Sequence, residues 1–344
     1  MYTVTILNEN ADIELTQFLD KLSLSENAVL GYHYPFYGKM LKSIEIGEPF
    51  YLGLYDKNEL VAFLPGFVKN EKQGNVYSSL PFFGPNAGIL CQTQNKIIYS
   101  NALLAFLENY LAQNNFISAS IYSSFLAEQA SEDKLFEDFA TTKIEKFTSY
   151  IALEKLSIST KIAYDIRKAE KEGVLVSREI TDFKVSELYK IYHQNCIDFD
   201  IPIKPQKCIQ FLAHEATKSD AVTFYFAELE GQIIGALIMI WSKAVASYYL
   251  PCSLNEFRTY QSNTLLINTA LEEAKNRNIK IWNWESSPSV ASGVYKFKKK
   301  WGSEDTTYNI FLKLLENEDF FVKLGKENIS KLYPNFFVFP FNKL

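Results

Sequence analysis

Two stretches of this chain repeat one order of elements, and that repetition restricts the fold more than any other feature. In the first stretch, Phe50-Tyr51-Leu52-Gly53-Leu54-Tyr55 and Leu60-Val61-Ala62-Phe63-Leu64-Pro65 flank the polar turn Asp56-Lys57-Asn58-Glu59. In the second, Phe224-Tyr225-Phe226-Ala227-Glu228-Leu229 and Ile233-Ile234-Gly235-Ala236-Leu237-Ile238 flank Glu230-Gly231-Gln232. β-Branched and aromatic runs bounded by turn formers predict a hairpin in each. A second echo follows in the same order. Ser100-Asn101-Ala102-Leu103-Leu104 and Ser262-Asn263-Thr264-Leu265-Leu266 each open a stretch with apolar residues at helical spacing. Polar residues end both helices, and the strands Phe116 to Tyr122 and Ile279 to Trp284 come next, running on to the pairs Ser123-Ser124 and Ser286-Ser287. Phe50 and Phe224 are 174 positions apart, and Ser100 and Ser262 are 162 apart. A period of that length is too long for a solenoid and implies two domains.

The length of 344 residues suits two domains of ordinary size. The expected fold class is α/β (α+β): two tandem units, each a mixed, mostly antiparallel sheet flanked by helices. Domain 1 is expected over 1–152 and domain 2 over 153–314, with the C-terminal tail, about 315–344, packing back on domain 1. A strand is expected over 148–153 and a linker over 155–159. Ser159 or Thr160 caps a helix running to Glu172, which Gly173 ends. A strand over 310–314, a helix over 317–331 and an aromatic tail over 336–341 complete the chain.

A net charge of −5 argues against coating nucleic acid by bulk charge, and DNA is not an expected partner. Cys91, Cys196, Cys208 and Cys252 are far apart, which predicts buried free thiols rather than a metal knuckle or a disulfide framework. No apolar run approaches the roughly 18 residues needed to span a bilayer, and no leader pattern opens the chain. The expected location is cytoplasmic, with room for peripheral membrane contact. His33, His193 and His214 have no metal-ligand spacing, and no serine elbow, phosphate-binding loop or dinucleotide fingerprint occurs.

Two basic clusters stand out. The first runs from Lys155 to Arg178 and includes Lys161, Arg167, Lys168 and Lys171; on its helix, Tyr164, Arg167 and Lys171 share one face. The second is Gly293-Val294-Tyr295-Lys296-Phe297-Lys298-Lys299-Lys300-Trp301-Gly302, with four lysines in five positions. Each suits either a solvated helix face or a phosphate site, since lysine acts as a point charge and arginine as a fork for phosphoryl oxygens.

The stretch from Tyr260 to Gly302 resembles the second domain of the FemABX family, peptidyltransferases with twin domains of the GNAT acyltransferase fold. The likeness rests on the Leu-Leu helix, Glu273-Ala274-Lys275, the following strand, and Gly293, Phe297-Lys298 and Trp301-Gly302. Arg167 to Val174 is similar to the basic helix opening that domain. His33-Tyr34-Pro35-Phe36-Tyr37 and Ser78 to Gly84 resemble positions of the first domain. The resemblance implies amide formation, in which an amine attacks an activated acyl or aminoacyl ester. The implied donor is aminoacyl-tRNA or acyl-CoA, with no tightly bound cofactor and no metal. The implied acceptor is a nucleotide- or lipid-linked compound bearing an amino group, such as a cell-wall (peptidoglycan) precursor. Lys298, matching the lysine of the family's Phe-Lys pair, is the expected oxyanion or phosphate stabiliser, and Tyr295 orients substrate or relays a proton. Arg167, Lys168, Lys171, Tyr164 and Tyr37 are the expected substrate-binding residues. One departure is plain: neither Arg258 to Thr264 nor Lys96 to Asn101 contains the glycines with which a helix start usually approaches CoA pyrophosphate. Two other readings stand beside this one. They are an acyl-CoA-dependent GNAT N-acetyltransferase of small-molecule or polysaccharide metabolism, and a non-catalytic binding protein on the same fold.

Overall fold

A computed structural model describes residues 2–25, 29–82, 88–126, 129–287 and 289–343. Phe83 and Gly84 of the Ser78 to Gly84 stretch lie outside the described residues. The chain forms two compact units, Met1–Phe147 with Thr306–Leu344, and Thr148–Asp305. Two long strands, Thr142–Ala152 and Glu304–Leu314, each begin in one unit and end in the other, so the divisions fall inside strands rather than at linkers.

In the first unit, strands Tyr51–Asp56 and Glu59–Leu64 form the first hairpin, with Asp56 opposite Glu59. Only Lys57 and Asn58 make the turn, so the connection is two residues long rather than four. Tyr2–Leu7 and Leu90–Cys91 flank this hairpin. The second strand breaks at Pro65-Gly66 and resumes as Phe67–Glu71, because proline has no N–H to offer a ladder. A Cβ at Gly66 would lie 2.3 Å from the Tyr77 ring and 2.6 Å from the Phe50 carbonyl oxygen, so only glycine permits this close turn. Gly74–Ser78 follows, then the helix Lys96–Gln113, and Phe116–Tyr122 returns parallel to Gly74–Ser78. Leu103, Leu104, Leu107 and Leu111 of that helix pack on Phe116, Ala119 and Ile121. The C-terminal segment carries two short helices, Glu318–Leu324 and Lys326–Leu332, rather than one, because Gly325 adopts φ +78° between them. Its Tyr333 hydroxyl donates to the Gly74 carbonyl at 2.8 Å, and Phe339 stacks on Phe321.

The second unit repeats the plan. Strands Val222–Leu229 and Gln232–Trp241 pair around Glu230 and Gly231, both at positive φ, which again is a two-residue turn. Val245–Ser253 follows, then the helix Ser262–Asn276, and Ile281–Asn283 returns parallel to Val245–Ser253. Alternation along the strands sorts the core. Tyr225, Ala227, Ile234 and Leu237 face the helices Thr160–Lys171 and Ser262–Asn276, where Ile162, Ile166, Leu266 and Ala270 meet them. Helices Asp182–Asp198 and Gln206–Ala216 pack on the same strands through Leu188, Ile209 and Leu212, with the Cys252 thiol donating to the Leu188 carbonyl. All four cysteines are buried free thiols. Among the described residues no helix is long and apolar enough to cross a membrane, and no group of His, Cys, Asp and Glu could hold a metal ion.

Candidate functional site

The parallel pair in the second unit ends at Ser247 opposite Asn283, and beyond that point the two strands are no longer paired. Val245–Ser253 continues against Gln232–Trp241, with a bulge: Leu250 faces Ile238 and Tyr248 faces Met239, so Tyr249 is the extra residue. On the other strand, Glu285 likewise lies two residues past the last pair. Two buried lysines reach that divergence.

Lys298 comes to it from the helix Gly293–Lys300, whose start is capped by Ser292 accepting from the Tyr295 N–H. Three of the four clustered lysines are exposed, but Lys298 is 3 % exposed and turns inward beside Trp301. Its Nζ donates to the carbonyl oxygens of Glu285 and Ser286, each at 2.9 Å. Burial lowers its pKa to about 8, opposed by the Glu285 carboxylate. Lys204 is the second buried cation, at 9 % exposed. Its ammonium lies 5.3 Å from the Tyr249 ring centroid, and its backbone N–H donates to the Tyr192 hydroxyl at 2.9 Å. Burial lowers its pKa to about 8 as well, with Cys208, Glu285 and Cys196 opposing. The Cys208 thiol lies 3.6 Å from the Tyr249 hydroxyl, and burial raises the pKa of Cys208, Cys196 and Tyr192. Two lysines kept in poor solvent beside one carboxylate make a site with strong affinity for negative charge.

Tyr295 lies three residues from Lys298 on the same helix but engages another group. Its hydroxyl donates to Asp305 at 2.7 Å, and Asp305 also accepts from Ser149 at 3.1 Å and pairs with Lys299 at 3.5 Å. Burial alone would raise the Asp305 pKa, yet the hydrogen bonds from Tyr295 and Ser149 and the Lys299 charge hold it below its ordinary value.

Of the first basic cluster, Lys161, Arg167, Lys168 and Lys171 sit, with Tyr164, on the helix Thr160–Lys171, which Ser159 caps and Gly173 ends at φ +82°. Tyr164 is 61 % exposed, Arg167 and Lys171 are exposed, and Lys168 is half-buried. Among the described residues, no side-chain hydrogen bond or ion pair engages any of these four. Arg178 is engaged, pairing with Glu273 at 3.0 Å beside Tyr225 and Arg277. Tyr37 is wholly buried in the first unit, its ring edge-on to Tyr32 at 4.9 Å, where it serves that unit's core. His33 is buried too, and its Nδ1 accepts the Leu30 N–H at 3.0 Å.

Sequence reasoning did not single out Lys204, Tyr249 or Glu285. The one local signal for Lys204 is its setting, Ile201-Pro202-Ile203-Lys204-Pro205, a lone cation in an apolar, proline-bounded loop. Gln261, directly before the helix Ser262–Asn276, adopts φ +58° and ψ +28°, and no side chain caps the helix. The glycine-free sequence therefore still builds the left-handed turn that glycine usually supplies.

Comparison with known proteins agrees with this architecture. Residues 157–283 match the family described as "Acetyltransferase (GNAT) domain". The solved structure of FemX is 11 % identical, with a TM-score of 0.72 over 89 % of this chain and 96 % of that one. The C-terminal domain of a putative lysylphosphatidylglycerol synthetase from Agrobacterium fabrum is 10 % identical, with a TM-score of 0.57 over 94 % of this chain and 98 % of that one. A tandem GNAT protein from the clavulanic acid biosynthesis pathway is 9 % identical, with a TM-score of 0.52 over 93 % of this chain and all of that one. No curated protein matches the chain. The chain thus has the tandem GNAT fold seen in FemX, and residues 157–283, in its second unit, match the acetyltransferase (GNAT) domain family.

Proposed function

We propose that the second unit joins an activated acyl or aminoacyl group to an amine, forming an amide. The observation that carries the reading is the pair of buried lysines, Lys204 and Lys298, at the point where two parallel strands diverge. An ester donor needs no activation beyond positioning and relief of the charge that grows on its carbonyl oxygen. Lys298 supplies positive charge for that oxyanion or for a phosphoryl oxygen. Lys204 and the exposed Arg167, Lys168 and Lys171 supply charge for phosphates of a nucleotide-linked donor or acceptor. Tyr164, exposed on the same helix face as Arg167, stacks against a base or sugar, and Tyr295 with Asp305 orients substrate beside Lys298.

The likeness to FemX and to a putative lysylphosphatidylglycerol synthetase supports an aminoacyl donor, carried on tRNA, and an amino-bearing acceptor. A second reading has its own observation. The GNAT domain match and the uncapped, left-handed start of the helix Ser262–Asn276 favour acyl-CoA, whose pyrophosphate suits free N–H groups at a helix start. One experiment separates them: incubation with charged tRNAs, acyl-CoAs and nucleotide-linked muropeptides, with mass spectrometry for new amides. Product from aminoacyl-tRNA alone supports the first reading, and product from acyl-CoA the second. Lys298→Ala is expected to lower either yield at least a hundredfold. Full activity of that variant removes Lys298 from the mechanism, and no product from any donor refutes transfer.

A further inference from the structure

Glu285 stands in a conformation that a side-chain-bearing residue rarely takes, φ +60°, and its surroundings hold it there. Its N–H donates to Asn283 Oδ1 at 3.0 Å, and Asn283 Nδ2 donates back to Glu285 Oε1 at 2.6 Å. Asn283 is wholly buried and also donates to Ser247 Oγ at 3.2 Å, which locks this small ring to the last pair of the parallel strands. The Glu285 carbonyl receives Lys298 Nζ. A strained backbone, a buried amide clamp and a lysine tether therefore all fix one carboxylate. They fix it where the strands part, and the residue remains half-exposed while Lys204 and Lys298, both within reach of its charge, are buried.

Amide formation from an ammonium needs a base. The other groups of this cluster serve poorly, because burial keeps the protons on Tyr192, Cys196 and Cys208, and at neutral pH the two lysines are cations. We propose that Glu285 is a catalytic residue whose carboxylate takes one proton from the acceptor's ammonium group. The freed lone pair forms the C–N bond as the donor's C–O or C–S bond breaks. The second nitrogen proton leaves with the departing oxygen or sulfur, and Glu285 returns its proton to solvent. Asn283 is a positioning residue that aims the carboxylate. This assignment rests on the transfer reading above.

Glu285→Gln keeps the oxygen to which Asn283 donates and removes the basicity, so it tests the chemistry with little disturbance. In single-turnover transfer at pH 7, the variant is expected to lose a hundredfold or more in rate, with the KM of donor and acceptor within twofold. The loss is expected to shrink towards tenfold or less with an alkoxyamine acceptor, which is unprotonated at pH 7. It is also expected to shrink for the natural amine as pH rises, whereas damage to the fold would cost every acceptor equally. Glu285→Asp, with its carboxylate drawn back by one methylene, is the second variant, and an intermediate rate is expected from it. Equal rates for wild type and Glu285→Gln, or a loss identical for both amines at every pH, would overturn the assignment and leave transfer standing. A wild-type protein that makes no amide overturns transfer and this assignment together.

Discussion

Replacing Lys298 with methionine tests whether the buried cation carries the electrostatic load assigned to it. In the folded chain its pKa falls to about 8 through burial, against roughly 10.4 in an unfolded chain. A depressed lysine pKa means the unfolded state binds the extra proton between those two values, so stability rises with pH across that window and is lost as pH falls through 8. Working the linkage from pH 7 to pH 9.5 gives about 2 kcal/mol of added stability from this one group. The variant lacks that increment, while Lys204 and the cysteines and tyrosines that titrate in the same range are present in both proteins. Urea melts of wild type and Lys298→Met at pH 7 and 9.5 therefore give a double difference of about 2 kcal/mol, attributable to Lys298. The same titration is expected to draw transfer activity down above pH 8, since the neutral amine has no charge to offer an oxyanion. An identical pH dependence of stability in the two proteins would show that the lysine is not held in poor solvent, and would refute the reasoning.

Two further outcomes follow from packing and charge elsewhere in the chain. Gly66→Ala puts a methyl group 2.3 Å from the Tyr77 ring and 2.6 Å from a backbone oxygen. It is expected to cost about 2 kcal/mol in a urea melt of the full chain, and a change near zero would mean that the turn relaxes freely. Arg167→Ala combined with Lys171→Ala removes two exposed charges from the helix Thr160–Lys171. The melting temperature is expected to hold while the KM of the phosphate-bearing substrate rises several-fold and loses part of its salt dependence, and an unchanged KM would return that face to plain solvation.

The repeat was legible because its signals are local. Alternating residues about a polar turn and leucines at helical spacing write hairpin and helix into short windows, and those windows recur in order. What the pattern could not carry was turn geometry and strand extent. Both hairpin turns contract to two residues, since pairing extends to Asp56 and Glu59 in one and to Leu229 and Gln232 in the other. The strands Thr142–Ala152 and Glu304–Leu314 run across the unit divisions, where composition shows no linker. The broken helix near Gly325 had a signal in the glycine itself, outweighed by the helical spacing on either side.

The site was legible only where its residues fall in one window. Four lysines around position 298 invite a phosphate, yet in the fold only Lys298 turns inward, because helical spacing sets it on the face of Trp301 while its neighbours stay in water. Lys204 and Glu285 are isolated in sequence, and their meaning is tertiary. Lys204 matters through its distance from Tyr249, and Glu285 through a register that ends two residues earlier. The same reasoning explains why a glycine-free helix start misleads. Glycine makes the left-handed turn easy, but a well-packed neighbourhood can hold glutamine there, as at Gln261, or glutamate, as at Glu285. At Gln261 the strained backbone leaves a helix start without a side-chain cap, and at Glu285 it holds a carboxylate whose charge reaches both Lys204 and Lys298. Both lie in the second unit, on either side of its parallel crossover. Strain of this kind persists only where surroundings hold it in place, and at Glu285 the holding groups are the Asn283 amide and, through it, Ser247.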